Sequence, residues 1–517
     1  MSQAQNEFDH IVIGAGSAGC AVARRLIDAG RSVALVEAGG PTDDPRITTP
    51  GRMFELWGLP TDWGYKTIPQ EHSADVVVDV PRGKVLGGSS AMYGMIHVRG
   101  AAADFDNWAY NGAPGWSYQD VLPYFIKSED FEEGASEYHG VGGPMPVRVN
   151  HFPNPLTPVF LQAAEQAGIP LNKDCNGPEI LGAGQSHMNV RDGKRVTSWN
   201  AYLEPVADSP LLTVISGARA DKLTFDGNRC TGVEITVQGK TQILTATQDI
   251  VVSAGAFGSP QLLMLSGIGN QEELTALGIE PKIDLPGVGE NLQDHIILPI
   301  VYEATHPIEA PRANVMEAHF FAKSDPGMLA PDLQPLMVAK AFPVRGKEIP
   351  EQAFTFLPGV IRPMSRGRVY LTSADPSQLP VVDPRFLSDP QDLHAMEKAI
   401  ELCREVAAQP ALAPWRGEEI APGKEVQGED LRDYIREQLQ TYHHPAGTCR
   451  MGLDAEAVVD PQLRVHGLQN LRVADCSIMP AVTSGNTHAP AVMIGERAVD
   501  FILSSAKVRE TNELLGV

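Results

Sequence analysis

Three glycines near the amino terminus have the spacing of a loop that binds the phosphates of a dinucleotide. Gly14, Gly16 and Gly19 form a GxGxxG pattern directly after a short apolar segment. A backbone without side chains at these positions can turn tightly, approach a pyrophosphate and pack a helix closely against a strand. Glu37 follows at the distance expected of a carboxylate that accepts hydrogen bonds from a ribose diol. The pattern predicts a dinucleotide site but does not distinguish FAD from NAD.

The elements that must position this loop are also visible in the sequence. His10–Ile13 has a buried-strand pattern, a helical pattern begins at Ser17, and Gly30 is suited to end that helix. The segment Ser32–Val36 has the pattern of a second strand and leads into Glu37. We therefore predict a strand–loop–helix–strand unit whose helix N-terminus offers N–H groups and positive potential to the phosphates.

Two of the 14 histidines stand in contexts that favour proton transfer. His444 precedes Pro445, so we expect an extended backbone that holds its side chain at the end of a strand. His488 lies in the segment SGNTHAP, just before an apolar helical pattern. A neutral imidazole, with an ordinary pKa of about 6.5, can accept a proton near neutral pH. Alternation along a strand would turn the side chain of His443 away from the face that carries His444.

The composition is that of a globular protein with an acidic surface. The chain has 517 residues, 43% of them hydrophobic and 20% charged, with a net charge of −23. Such a surface repels the phosphates of nucleic acids and anionic lipids. No segment approaches the roughly 18 apolar residues of a membrane span. We therefore expect neither a nucleic acid nor a membrane as a partner.

The amino-terminal residues show no signal-peptide pattern, and the six cysteines are scattered without a CxxC pair. These features predict a cytoplasmic protein with reduced thiols. A metal site at His443, His444 and Cys449 is disfavoured. Adjacent histidines seldom converge on one ion, and no carboxylate stands at the spacing of a zinc protease. We expect no metal.

Two further segments rich in small residues follow the first loop. They read PRGKVLGGSSAMYGMIHVRG (residues 81–100) and GAFGSPQLLMLSGIG (residues 255–269). In order and spacing, the three segments resemble the glucose–methanol–choline (GMC) oxidoreductases, a family of FAD-dependent enzymes. The resemblance spans nearly the whole chain, because it continues through residues 286–295, 365–392, 442–452 and 471–500.

This resemblance implies an α/β (α+β) fold. A Rossmann-like FAD-binding domain would be interleaved with a substrate-binding cap domain built on a mixed or antiparallel sheet with helices. We assign residues 1–45, 76–150, 206–300 and 460–517 to the FAD-binding domain. Residues 151–205 and 301–459 are assigned to the cap. Independently, the alternation in residues 213–237 predicts a β-hairpin that turns at residues 226–228.

The resemblance also implies the residues that contact FAD. In the amino-terminal fingerprint they are Gly14, Gly16, Ser17, Ala18, Glu37 and Ala38. In the loop beside the flavin they are Arg82, Val85, Gly88, Ser89, Tyr93, Gly94 and Met95. Elsewhere they are Ala220, Asp475, Cys476, His488 and Ala489. The alternative for Asp475 is a loop carboxylate that caps a nearby turn.

Three positions of the flavin loop bear on how FAD is held. Some relatives attach FAD covalently through a His at the position of Met92, and a thioether cannot form that linkage. We therefore expect noncovalent FAD. Tyr93 and His97 depart from the family pattern, which usually has Asn or His at the first position and another aromatic residue at the second.

The resemblance implies that His444 is the general base and that His488 orients an alcohol, with the exchanged roles left open. Oxidation of an alcohol removes a hydroxyl proton, taken by the protein, and a hydride, taken by flavin N5. Tyr442 and His443 flank the base, so we place them in the substrate pocket. A purely structural role is the alternative for His443.

The predicted function is oxidation of a small alcohol to the aldehyde. The pair of histidines is similar to that of relatives acting on aryl alcohols, glucose or pyridoxine, whereas choline-type relatives generally have Asn at the second position. A primary, aromatic or heteroaromatic alcohol is therefore favoured, with oxygen or another electron acceptor reoxidising the flavin. The alternatives are a choline or sugar-alcohol oxidoreductase, a redox-neutral FAD enzyme such as a hydroxynitrile lyase or light-driven decarboxylase, and a flavin-bound partner-binding protein.

Overall fold

A computed structural model describes residues 6–309 and 314–515, with the side chains of the last helix described as far as Lys507. The helices lie between and around several sheets. Their bounds are Ser17–Asp28, Pro45–Thr48, Ala102–Tyr110, Tyr118–Ser128, Leu156–Gln166, Gly255–Leu265, Gln271–Ala276, Pro390–Ala407, Gly428–Gln438 and His488–Leu515. None of the helices in these two ranges has the length and apolar character needed to cross a membrane.

A five-stranded parallel sheet carries the amino-terminal loop. In spatial order its strands are Leu212–Ser216, Val33–Glu37, His10–Ile13, Ile250–Val252 and Leu471–Val473. The three central strands are buried along their whole length, as expected of β-branched segments covered on both faces. The predicted strand–loop–helix–strand unit is present, with the second strand one residue later than predicted. Gly30, with φ +76°, follows the helix.

A second sheet contains the predicted hairpin from Ala218 onward, whereas residues 213–216, which the prediction included, belong to the parallel sheet. Ala218–Asp226 and Arg229–Val237 pair in antiparallel fashion and turn at Gly227, which has φ +53°. The neighbouring strand Lys240–Ala246 and the short strand Glu7–Phe8 complete this four-stranded sheet. The register of the hairpin shifts at Ala220, and there its first strand meets the cavity described below.

A third sheet, here called the cap sheet, has six strands, and every neighbouring pair is antiparallel. In spatial order they are Arg416–Ala421, Ile300–Ala304, Ala353–Leu357, Leu336–Val338, Ala318–Phe321 and Gly182–Gln185. The predicted α/β class, with sheets interleaved along the chain, is confirmed. The assignment of cofactor and substrate roles to the two domains stays a prediction.

A small three-stranded ribbon connects the cap sheet with the late histidines. Its strands, in order, are Gly359–Val360, Ile296–Ile297 and Gln440–Thr441. His295 stands just before the middle strand, and its carbonyl accepts a hydrogen bond from the backbone N–H of Tyr442. This pairing brings the residues that follow Thr441, including His444, beside His295.

The remaining strands form short two-stranded pairs. They are Tyr65–Lys66 with Asp79–Val80, Glu129–Phe131 with Met145–Val147, Val190–Arg191 with Lys194–Arg195, Ile268–Gly269 with Ile283–Asp284, and Arg368–Tyr370 with Val381–Asp383. All six cysteines lie in the described ranges and none forms a disulfide. The predicted reduced thiols are thus present.

Candidate active site

One cavity runs from the glycine loop, past the hairpin, to the cap sheet, and most of the predicted site residues line it. From that set the lining residues are Gly14, Gly16, Ser17, Ala18, Glu37, Ala38, Arg82, Gly88, Ser89, Tyr93, Gly94, Met95, Ala220, Tyr442, His443, His444, Asp475, Cys476 and His488. Val85 and Ala489 do not line it. Val85 packs into a small cluster with Ile47, and Ala489 faces the main core. Both stand behind the cavity wall.

The glycine loop leaves open space at the start of the first helix. Gly14 has φ +103°, and a Cβ there would lie 2.3 Å from the carbonyl oxygen of Ser253. Gly16 is the residue before the helix, caps it with no side chain, and has nothing within 4 Å of the position of a Cβ. The unpaired N–H groups of this helix end therefore face a space that fits the diphosphate of a dinucleotide.

Glu37 is buried at the end of its strand. Its carboxylate accepts hydrogen bonds from the backbone N–H groups of Ala15 at 2.9 Å and Gly39 at 2.8 Å. Burial raises its pKa to about 7, and those two N–H groups oppose the shift. Glu37 can still accept the predicted hydrogen bond from a ribose, because each carboxylate oxygen can accept more than one.

Asp475 caps a turn, as its alternative assignment proposed, and also lines the cavity. Its carboxylate accepts hydrogen bonds from the N–H of Ser477 at 2.8 Å, the N–H of Gly255 at 2.9 Å and the hydroxyl of Ser259 at 2.6 Å. It thereby joins the late loop to the helix that starts at Gly255. The neighbouring Cys476 is half-buried, and burial raises the pKa of its thiol to about 12.

Tyr93 and Arg82 connect the early loop with the two late histidine segments. The Tyr93 hydroxyl donates to the carbonyl of Val196 at 2.9 Å, so its ring, rather than its polar atom, faces the cavity. That ring meets His488 edge-on, with 4.7 Å between centroids. Arg82 donates from Nη2 to the carbonyl of His443 at 2.8 Å. The arginine therefore ties the early loop to the late histidine segment.

His444 is held by three side chains. Its Nδ1 lies 3.0 Å from Nδ1 of His295, and its Nε2 lies 3.2 Å from the amide nitrogen of Asn486. Its ring stacks on Tyr442 with 4.9 Å between centroids. Burial, more than any other cause, lowers the pKa of His444 well below its ordinary value. The ring is therefore neutral and has a lone pair that can accept a proton.

His443 lines the same cavity as His444, so the prediction that strand alternation would separate them was wrong. The strand ends at Thr441, and His443 adopts φ +67°, which breaks the alternation. Its ring lies 4.9 Å from that of Trp57. Burial lowers its pKa to about 3, with the charge of Arg82 acting in the same direction.

His488 is the first residue of the last helix and enters the cavity from the side of the glycine loop. Its Nδ1 lies 2.9 Å from the hydroxyl oxygen of Ser17. Its Nε2 is buried and has no hydrogen-bond partner among the described residues. Burial lowers its pKa to about 4. A second neutral imidazole is therefore available at this cavity.

The part of the cavity on the cap side is apolar and aromatic, and sequence reasoning missed it. Trp57 meets Phe54 edge-on at 4.9 Å between centroids, and Phe342 lies 6.1 Å from Phe54. Further apolar lining residues are Met53, Met92, Ile96, Ile297, Met316, Leu336 and Leu357. Gln440 also lines this part and makes no side-chain hydrogen bond within the described ranges. Apart from Met92 and Ile96, which lie in the quoted segment 81–100, no motif marked these positions, because they come from segments far apart in the chain.

His97, which departs from the family pattern, lies outside the cavity in a buried polar cluster. Its Nδ1 lies 3.2 Å from the amide nitrogen of Asn189, and its Nε2 lies 3.7 Å from Glu129. Arg99 and His139 bind the same carboxylate at 2.6 and 2.9 Å. Burial raises the pKa of Glu129, but these two partners outweigh it and lower the pKa to about 2. The described residues contain no cluster of His, Cys, Asp and Glu suited to a metal.

The chain matches one protein family over most of its length. Residues 8–297 match the amino-terminal part of the GMC oxidoreductases, and residues 363–495 match the carboxy-terminal part. The chain belongs to the GMC oxidoreductase family. The predicted resemblance is confirmed, and with it the class of FAD-dependent oxidoreductases that act on alcohols.

Individual GMC relatives cover nearly the whole chain. It is 38% identical to a protein named oxygen-dependent choline dehydrogenase from Brucella ovis, over 98% of this chain and 97% of that protein. The structure of pyridoxine 4-oxidase from Mesorbium loti has a TM-score of 0.92 and 34% identity, over 95% of this chain and 98% of that one. Formate oxidase from Aspergillus oryzae has a TM-score of 0.90 and 26% identity, over 98% and 100%.

Proposed function

We propose that this GMC enzyme oxidises a small primary alcohol with an aromatic or heteroaromatic ring to the aldehyde. One observation carries the proposal. Two neutral histidines, His444 and His488, line the same cavity between the glycine loop and the aromatic pocket of the cap. An alcohol with its ring in that pocket has its carbinol group between the pocket and the dinucleotide site.

The two histidines would divide the handling of the hydroxyl group. His444 takes the hydroxyl proton at a ring nitrogen, while His488 donates or accepts a hydrogen bond that orients the alcohol oxygen. The protein thus removes the hydroxyl proton and stabilises the negative charge that develops on the alcohol oxygen. When bound, FAD supplies flavin N5, which accepts the hydride from the carbon that carries the hydroxyl group.

The residues around the glycine loop would hold FAD without a covalent bond. The helix end at Ser17 faces the diphosphate, and Glu37 faces the ribose next to the adenine. The loop from Gly88 to Met95 lines the cavity and would contact the flavin. Met92 occupies the loop position at which a covalent link would form and offers only a thioether. We therefore expect acid or detergent denaturation to release free FAD.

The lining of the pocket favours an uncharged aromatic ring over a quaternary ammonium group. Among the described lining residues, the carboxylates are Glu37 and Asp475, and both belong to the dinucleotide end. The cap end has aromatic, aliphatic and methionine side chains. A cation buried there would lack an opposite charge, whereas an aromatic ring would pack on Trp57 and Phe54. The free amide of Gln440 could then bind a heteroatom or hydroxyl on the ring.

Choline is the second candidate substrate. The choline dehydrogenase from Brucella ovis is 38% identical over nearly the full length. Aromatic side chains such as Trp57 can also bind an ammonium group through its attraction to the ring face. Choline therefore requires a pocket that binds a cation through aromatic rings alone, with no carboxylate nearby. An uncharged ring-bearing alcohol does not.

A panel of alcohols distinguishes the candidates. The purified enzyme is mixed without oxygen with benzyl alcohol, hydroxymethylfurfural, pyridoxine, choline, glucose and short alkanols, while flavin absorbance is followed. We expect bleaching by one of the ring-bearing alcohols at low concentration and little by choline. Bleaching by choline alone would transfer the proposal to the second candidate. Admission of air then tests whether oxygen or another acceptor reoxidises the flavin.

A further inference from the structure

A third histidine, His295, is completely buried against the proposed base. It is fully enclosed, with no exposed surface, and its ring stands edge-on to that of His444 at 5.1 Å between centroids. The contact is polar, since the two Nδ1 atoms lie 3.0 Å apart. Two nitrogens at that distance are bonded only if one carries a hydrogen and the other offers its lone pair.

The neighbours of Asn486 decide which of the two rings donates. Gln334 donates from Nε2 to Oδ1 of Asn486 at 3.1 Å, which leaves Nδ2 of Asn486 as the atom facing His444. With the two amides in this orientation, Nδ2 of Asn486 donates to Nε2 of His444, which accepts. A neutral imidazole has one N–H, and in His444 it is therefore on Nδ1 and points at His295.

His295 is suited to accept that hydrogen because burial keeps it neutral. Burial lowers its pKa to about 3, although the carbonyls of Ile361 and Thr483 oppose the shift. The two carbonyls act on the ring as weak acceptors, short of a full hydrogen bond to Nε2, and so favour a hydrogen on that nitrogen. With its hydrogen on Nε2, His295 presents the Nδ1 lone pair to His444.

The backbone fixes the two rings in this arrangement. The carbonyl of His295 accepts the N–H of Tyr442, and the side chain of Asp294 accepts the N–H of His444 at 2.8 Å. The Asp294 carboxylate also accepts the hydroxyl of Thr441 at 2.5 Å. Two consecutive residues, Asp294 and His295, thus hold the backbone from Thr441 to His444 beside the ring of His295.

We propose that His295 is a positioning residue, which accepts the Nδ1 hydrogen of His444 and so holds the lone pair of the base at Nε2, beside Asn486 on the cavity wall. An entering alcohol replaces the amide of Asn486 as the donor to Nε2. The O–H bond then breaks and an N–H bond forms at Nε2, while the Nδ1 hydrogen stays on His444 and is shared with His295. This role rests on the proposed assignment of His444 as the base.

The tautomer of His444 can be measured on the FAD-bound protein without substrate. Histidine labelled with nitrogen-15 gives different ring shifts for the two tautomers, and loss of one set of signals in His444→Gln assigns them. We expect His444 with its hydrogen on Nδ1. His295→Leu removes the acceptor and should give a mixture of tautomers, whereas His295→Asn keeps an oxygen near the place of Nδ1 and should restore the Nδ1 form.

Flavin reduction by the best alcohol of the panel gives the second readout. We expect a rate constant lower by roughly 10- to 100-fold in His295→Leu, which is less than the 10²–10⁴ expected for loss of a general base, and within about threefold of wild type in His295→Asn. Equal losses in both variants would show packing alone and overturn the proposal. So would a hydrogen on Nε2 of wild-type His444, a result that depends neither on the His295 variants nor on the substrate.

Discussion

The residues of the catalytic end come from segments that the chain brings together only by folding. His444 and His488 were predicted from the sequence because each stands in a distinctive local pattern. Their partners were not. Asn486 lies inside the same SGNTHAP segment as His488. Its contact with His444 joins residues 42 positions apart, so the local sequence pattern does not show it. Trp57 lies in a stretch without any motif, so nothing in the sequence marked it as part of the pocket.

Trp57 is predicted to bind the ring of the substrate. In Trp57→Ala the aromatic wall beside His443 and Phe54 is lost, and each such contact contributes about 0.5–1.5 kcal/mol. We expect KM for a ring-bearing alcohol to rise roughly 3- to 10-fold, with kcat changed less. Phe152→Ala, at an exposed aromatic residue, is the control. An equal rise of KM for a short alkanol would contradict a contact with the ring.

Among the elements, the glycine loop and its helix followed the sequence most closely. The start at Ser17 and the glycine after the helix were both predicted, because tight turns need glycine and leave a clear pattern. The end of the Gln440–Thr441 strand was not predictable in the same way. Whether His443 continues the strand depends on its positive φ, which the surrounding contacts impose.

Substitution at Gly16 separates the binding of FAD from the stability of the fold. A Cβ there would have no protein atom within 4 Å beyond the neighbouring residues, and the backbone is extended, with φ −84°. A side chain would instead enter the space of the diphosphate. We expect Gly16→Val to raise the Kd of FAD roughly tenfold or more, a loss of at least about 1.4 kcal/mol.

The thermal midpoint of the FAD-free protein should stay unchanged in Gly16→Val. Gly51→Ala, at an exposed glycine that also has free space, is the matched control. Titration of the FAD-free proteins with FAD, followed by flavin fluorescence, measures the affinity. Wild-type affinity in Gly16→Val would place the diphosphate elsewhere.

For the whole molecule, the sequence indicated the fold class and the interleaving of segments through the family resemblance. The strand order of the sheets could not be read from it. Pairings such as Leu212–Ser216 beside Val33–Glu37 join residues far apart in the chain, and local patterns do not specify such contacts. The buried histidines in and beside the cap sheet could not be recognised from the sequence either, because burial depends on how the sheet packs.

One of them, His319, predicts how the stability of the whole chain responds to acid. It is 1% exposed in the cap sheet, and burial lowers its pKa from 6.5 to about 3. Between these values the unfolded chain binds a proton there and the folded chain does not, so the group destabilises the fold as the pH falls. Removal of the group should therefore stabilise the protein in acid, relative to its effect at neutral pH.

We expect the free energy of unfolding of His319→Leu, relative to wild type, to rise by about 1.4 kcal/mol for each pH unit below about 6.5. Urea unfolding at several pH values down to 4 measures this difference. His72→Leu, at an exposed histidine, controls for the loss of an imidazole as such. A constant difference between wild type and His319→Leu across this range would show that His319 protonates in the folded protein as readily as in the unfolded one.

The central claim is that His444 accepts the hydroxyl proton while an alcohol reduces the flavin. The most direct measurement is the rate of anaerobic flavin reduction in wild type and His444→Ala with the best alcohol of the panel. We predict that the variant keeps its yellow FAD and is reduced slower by roughly 10²–10⁴-fold. A variant that binds FAD and is reduced at nearly the wild-type rate would contradict the account.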